Sequence, residues 1–172
     1  KAFLRFFPLV DNHALSRIEH PPISREYFAM IDAAIDGTRI HGTTAVTSLG
    51  EVSNPDFVAE FADLMVRLEG VRWAGAIGRY GPDVILSLRT NREQANAGRI
   101  IRRLVGSLGK AGGHGMMAGG KVPGGAKDPE TARRLEEILT DRLLSFLRAD
   151  PVGTPLLEDR GREAAAQVLR RP

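Results

Sequence analysis

The chain has no cysteine. Disulfides, thiol nucleophiles and cysteine-ligated metals are therefore excluded together. Aromatic residues make up only 6% of the 172 positions, and none stands in the glycine-rich stretch that carries the argument below, so a stacking platform of rings is not expected there. No apolar run approaches the ~18 residues that cross a bilayer. The opening Lys1-Ala2-Phe3-Leu4-Arg5-Phe6-Phe7 is too short for a secretory signal and lacks a small-residue cleavage site. These absences lead to the expectation of a cytoplasmic location with no membrane contact. Neither charge sign dominates: 24 Lys and Arg stand against 21 Asp and Glu, a net +3. That is a mild bias toward anionic ligands, not the dense basic stripe of a dedicated nucleic-acid binder. Position 1 is not Met, and a fragment lacking an upstream part is the corresponding expectation.

What is present is enough for one ordinary domain, with 42% hydrophobic residues to fill a core. Residues 1–22 read as a connector, since Pro8 interrupts the helical spacing of Phe3, Phe6, Phe7 and Val10. Asp11-Asn12-His13 reads as a turn rather than a metal cluster, and His20-Pro21-Pro22 as extended chain. Ser24 is a good N-cap for a helix to Ile35, with Tyr27, Phe28, Ile31 and Ile35 on one face and Gly37 as its stop. The Thr- and Val-rich run 39–49 predicts a strand, with His41 as a half-buried strand histidine. Ser53 or Asn54 caps a helix over 54–68, with Pro55 in its first turn and an inward stripe of Phe57, Phe61, Leu64, Met65 and Leu68.

Two strands follow, 71–78 and 83–89, joined tightly at Tyr80-Gly81-Pro82. On the second, Val84, Leu86 and Leu88 face one way, and Ile85, Ser87 and Arg89 the other. Thr90-Asn91-Arg92-Glu93 reads as a capping box opening a helix over 92–108. Ala97, Ile100, Ile101, Leu104, Val105 and Leu108 point inward, and Arg99, Arg102 and Arg103 form a solvated face. A cation at a strand end beside a helix N-terminus suits an anion. An ordinary salt bridge is the competing reading for Arg89.

Five glycines surround one histidine in Gly112-Gly113-His114-Gly115-Met116-Met117-Ala118-Gly119-Gly120. Glycine loses the most backbone entropy on ordering, so such a segment suits a tight turn or a backbone that must approach a ligand. Exposed N–H groups at Gly112 and Gly113 predict an anion nest, and His114 adds a side chain that donates to an anion or accepts a proton near neutrality. A flexible loop is the alternative. A strand at 118–122 and a long helix at 128–148, begun by Asp128-Pro129, complete the sequence up to a last short helix around 162–170.

Ser87-Leu88-Arg89-Thr90, a helix, and then the Gly112–Gly120 segment together resemble the C-terminal, DHH-associated substrate-binding domain of the DHH phosphoesterase superfamily. The resemblance covers roughly residues 38–123. The Gly-Met-Met-Ala-Gly-Gly run departs from the more usual ending of two alanines and a glycine, and is similar to the exopolyphosphatase-like or oligoribonuclease-like branch. The resemblance implies an upstream domain whose aspartates and histidines hold two divalent cations, usually manganese. It also implies that Arg89, Gly112, Gly113, His114 and Gly115 grip a phosphate or terminal nucleotide, with His114 in a supporting role beside the metal-bound water. The ligands it implies are a short oligonucleotide, a nucleotide phosphate or polyphosphate. No Asp-His-His motif occurs in this sequence, so no metal is expected to bind here and the chain alone is expected to bind without turnover.

The expected architecture is α/β: a mixed sheet of about four to five strands flanked by helices. Residues 1–37 form a connector and helix after the missing catalytic domain, 38–125 the substrate-binding domain, and 126–172 a C-terminal helical extension. Homodimerisation is compatible with this arrangement. Two other classes stand beside it, a non-catalytic nucleic-acid-binding module and a structural domain with no ligand at the glycines. Arg89 and His114 facing one concave surface separates the binding readings from the structural one.

Overall fold

Ser24 opens the first helix as its chemistry requires. In the computed structural model, which describes residues 22–157, its hydroxyl accepts from the Tyr27 N–H at 3.2 Å and α1 runs Arg25–Asp36. Asp11-Asn12-His13, the connector before Pro22 and the expected helix near 162–170 lie outside the described residues. Tyr27, Met30, Ile31 and Ile35 pack inward around buried Ala34. Phe28 does not join them: it is 59% exposed, because one step along a helix turns a side chain by about 100°.

The Thr- and Val-rich run is two strands, not one. β1 (Thr38–His41) and β2 (Thr44–Glu51) pair antiparallel with Thr38 opposite Thr47. Thr47 donates to the Thr38 hydroxyl at 2.8 Å, and that hydroxyl donates to the Ala34 carbonyl at 2.7 Å. Two threonines are thereby satisfied inside the core. His41 is buried, and its Nδ1 donates to the Asp150 carbonyl at 2.8 Å.

α2 (Asp56–Met65) enters with the Asn54 side chain accepting from the Asp56 N–H at 2.9 Å. It ends three residues before the expected Leu68. Phe57, Val58, Phe61 and Met65 are buried, whereas Leu64 and Leu68 are exposed. β3 (Trp73–Tyr80) lies parallel to β2 after this crossover, and β4 (Asp83–Thr90) returns antiparallel.

The expected capping box at Thr90 does not form. The Thr90 hydroxyl donates to the Arg72 carbonyl at 2.8 Å and accepts from the Arg92 N–H at 3.2 Å, so it closes the strand end. α3 begins five residues later than predicted, at Ala97, and runs to Val105. Asn96 caps it, accepting from the Arg99 N–H at 2.9 Å.

After a 3₁₀ turn at Gly106–Leu108 the glycine segment is extended. β5 (Lys110–His114) and β6 (Met117–Val122) form a hairpin. α4 (Pro129–Leu147) is capped by Asp128, whose carboxylate accepts from the Thr131 N–H at 2.8 Å. A short β7 (Thr154–Pro155) pairs with β1.

The class is α/β as predicted, but the sheet has seven strands in the order β5-β6-β4-β3-β2-β1-β7. The split of 39–49, the glycine strand and the two-residue β7 raise the count above four to five. α1 and α2 cover one face, over a core of Phe57, Phe61, Ala74 and Ala76. α3 and α4 cover the other, where Leu139, Leu143, Ile101 and Leu104 meet Val84, Leu86 and Leu88. Among the described residues no helix is long and apolar enough to cross a membrane.

Candidate functional site

The register of the last three strands fixes what the site can hold. Arg89 lies opposite Met117, Ser87 opposite Gly119 and Ile85 opposite Lys121. On the outer side His114 lies opposite Met117, Gly112 opposite Gly119 and Lys110 opposite Lys121. Side chains alternate across a sheet, so these nine residues share one face. The other face, with Ala111, Gly113, Ala118 and Gly120, turns to α3. α2 packs over β3 and β4 but not over the hairpin, which leaves a trough. The cavity is about 690 Å³, walled by Val58 and Ala59 of α2 and floored by the three strands.

Gly112 and Gly119 are paired at the middle of this floor. A Cβ placed on Gly112 would meet nothing within 4 Å, so the glycine is required neither by packing nor by φ. The floor there is bare backbone.

The neighbouring glycines have a different cause. A Cβ on Gly98 would lie 2.0 Å from the Gly113 carbonyl oxygen, and one on Gly113 would lie 2.4 Å from Ala118 Cα. The absent side chain at Gly98 lets α3 settle directly on the hairpin, and the one at Gly113, at φ 147°, keeps β5 clear of its partner strand β6. Gly115, at φ 49°, makes the turn. Its carbonyl accepts from the Ala97 N–H at 2.9 Å, and the Met116 carbonyl accepts from the Thr90 N–H at 2.9 Å. The segment is thus a pinned hairpin, not the flexible loop that the glycine content also allows. Composition does not distinguish glycine chosen for a flexible turn from glycine chosen for close packing, and close packing prevails here.

Arg89, Gly112, Gly113 and His114 all line the trough, and Gly115 stands outside it at the turn. Arg89 and His114 therefore face one concave surface. They differ in what they already hold. Arg89 donates through Nε to Asp63 Oδ1 at 2.6 Å and through Nη2 to Asp63 Oδ2 at 3.2 Å. Its Nη1 donates to the Ser87 hydroxyl at 2.7 Å. The salt-bridge reading of Arg89 is thus realised beside the shared cavity. His114 is exposed at the end of β5, and its side chain has no hydrogen-bond partner among the described residues.

Sequence reasoning missed the far end of the trough. Lys121 Nζ sits 2.5 Å from Asp83 Oδ2, and Asp83 Oδ1 accepts from the Gly124 N–H at 2.9 Å. Lys121 first, then that N–H, hold the Asp83 carboxyl below its ordinary range. Lys110, opposite Lys121, is exposed and has no ion pair among the described residues. Period-two alternation extended through the glycines would have found both lysines. Asp63 carried no local signal, because it meets Arg89 only once α2 crosses β4. The arginines of α3 lie outside the trough's lining; Arg99 and Arg102 are exposed, and Arg103 stacks over Phe146 at 4.7 Å from the ring centroid. Among the described residues no group of three or more His, Cys, Asp or Glu could hold a metal ion.

Comparison with known proteins bears on the family and the fold. The sequence profile of the DHHA1 domain matches residues 41–147, from the end of β1 to the end of α4. An uncharacterized protein of Methanocaldococcus jannaschii is 31% identical over 144 residues, covering 80% of this chain and 29% of its own length. The chain thus spans under a third of that relative. An exopolyphosphatase-related protein from Bacteroides fragilis superposes with a TM-score of 0.56 at 14% identity, over 80% of this chain and 41% of that one. The DHH domain of a member of a family of ribosomal proteins gives a TM-score of 0.50 at 13% identity, over 78% and 35%. At these identities the likeness to the two structures is one of fold.

Proposed function

The chain belongs to the DHHA1 domain family, and from that premise we propose that it is the substrate-gripping part of a DHH-type phosphoesterase, holding a nucleotide or the terminal nucleotide of a short oligonucleotide in the hairpin trough. Arg89, Gly112, Gly113 and His114 form the grip, with Gly115 setting the turn that presents His114. The divalent pair, manganese in this proposal, and the bond-breaking chemistry belong to an upstream catalytic domain. The described residues do not fit such a pair. Binding without turnover is the activity proposed for this chain alone.

The observation that carries the reading is the distribution of charge along the trough. Its two ends carry basic side chains, Arg89 (paired with Asp63) and His114 at one, and Lys110 and Lys121 (paired with Asp83) at the other. Its middle is the bare backbone of Gly112 and Gly119, beside Val58, Ala59 and Ile85. A polyphosphate needs cations along its whole length, since a charge held against an apolar wall forfeits its hydration. A nucleotide matches better: its planar base lies flat on peptide backbone where a side chain would obstruct it, and its phosphate reaches the hydrogen-bond donors at one end. The volume is within the few hundred to ~1,000 Å³ of small-molecule sites. His114 donates to the phosphate, and Lys110 approaches from the opposite end.

Calorimetric titration of the chain with adenosine 5′-monophosphate and with tripolyphosphate tests this. The nucleotide is expected to bind more tightly, and His114→Ala to weaken it about tenfold or more, the worth of a hydrogen bond to a charged group. Tighter binding of tripolyphosphate, or indifference to His114→Ala, would contradict the reading.

A further inference from the structure

Arg89 faces the trough, yet four of its five N–H donors are committed. Two go to Asp63 at 2.6 and 3.2 Å. Nη1 serves the Ser87 hydroxyl at 2.7 Å and lies 3.3 Å from the carbonyls of Leu88 and Ala118. These partners are not equivalent. Ser87, Leu88 and Ala118 belong to the sheet and cannot leave. Asp63 sits on the flank of α2 with its side chain 56% exposed, while that of Arg89 is 13% exposed. The carboxylate is thus the replaceable half of the pair, free to move into water without a burial penalty. It also holds the two donors that a phosphate takes in a fork-to-fork pairing.

The geometry points to Asp63 as the residue that decides which phosphates Arg89 accepts: those ending in a free phosphomonoester, with internal phosphodiesters refused. This rests on the nucleotide reading of the trough. A phosphodiester carries one negative charge, as Asp63 does, so exchanging one for the other at Arg89 gains no charge and gives up a pair already in place. A terminal phosphomonoester carries close to two negative charges near neutral pH and outcompetes the carboxylate. Asp56, seven residues earlier and so on the same flank of α2, lines the trough and repels a second anionic group there. The ligand class is therefore a nucleotide, or an oligonucleotide end, with its terminal phosphate unesterified.

A matched pair of probes reads this directly: adenosine 5′-monophosphate and its 5′-methyl ester, which differ in one charge. Wild-type chain is expected to favour the monophosphate by about tenfold, the scale of one added charge contact in a partly exposed site. Asp63→Asn is expected to tighten the methyl ester and bring the ratio within about threefold, while Asp63→Glu retains the preference. Asp63→Ser serves as a second neutral variant should the asparagine lower the melting temperature into the working range. A ratio unchanged in the neutral variants, or an equal loss for both ligands, overturns the proposal and makes Asp63 a stitch between α2 and β4. Binding that responds to His114→Ala with a ratio indifferent to Asp63 removes the selector and leaves the trough reading standing. Failure of both ligands to saturate the wild-type chain removes the trough reading and the selector together.

Discussion

Gly98 on α3 and Gly113 on β5 meet so closely that a Cβ on the first would lie 2.0 Å from the carbonyl oxygen of the second. This contact sets the helix onto the back of the hairpin and so holds the floor of the trough. Gly98→Ala is therefore expected to destabilise the fold by about 2 kcal/mol or more, although alanine is favoured over glycine in a helix interior by about 1 kcal/mol. Chemical denaturation provides the measure; a gain in stability would show that the contact relaxes without cost.

Gly112 gives the opposite result. A Cβ there meets nothing within 4 Å, and the position faces the trough. Gly112→Ala is expected to leave the melting temperature nearly unchanged while weakening nucleotide binding about tenfold. Gly113→Ala, whose Cβ would lie 2.4 Å from Ala118 Cα, is expected to lose stability first. Parallel melting and titration curves for the two variants separate a glycine kept for the ligand from one kept for the fold.

The Asp83 carboxyl is held below its ordinary range by Lys121 and by the Gly124 N–H. A carboxyl lowered on folding contributes stability that is complete above its unfolded value and is lost as pH falls through the folded one. The contribution of Asp83 is therefore expected to be intact above about pH 5 and to fade below it. Urea midpoints measured from pH 7 to pH 3 are expected to fall further for wild type than for Asp83→Asn. Parallel curves would show that the ion pair contributes nothing to folding.

α4 is capped by Arg148, the one non-glycine residue with positive φ among those described, at 52°. An L-residue in that region costs about 1 kcal/mol that glycine avoids. Arg148→Gly is expected to stabilise the chain by about 0.5–1 kcal/mol, read as a higher urea midpoint, and a lower midpoint would mean that the arginine side chain has contacts worth more than the strain.

Much of the scaffold was legible because its signals are local. Ser24, Asn54 and Asp128 announce helix starts through their own side chains, and the alternation in β4 by itself puts Ser87 and Arg89 on one face. The α3 start was misplaced because Thr90 has the chemistry of a cap but spends its hydroxyl on Arg72, a partner eighteen residues away. The glycine strand was hidden for a related reason. Its conformation is dictated by α3 and β6 pressing on it, and nothing in Gly112-Gly113 itself favours extension. Arg89 and His114 were found by pattern, whereas Asp63 was not, since the partner of a strand-end arginine is chosen by how α2 crosses the sheet.

The central claim is that the hairpin trough is the ligand site. Amide chemical-shift mapping of the labelled chain during titration with adenosine 5′-monophosphate tests it most directly. Saturable shifts are predicted at Ser87, Gly112, Gly113, His114 and Gly119, on the trough floor. Shifts confined to the arginine face of α3, or none that saturate, would contradict it.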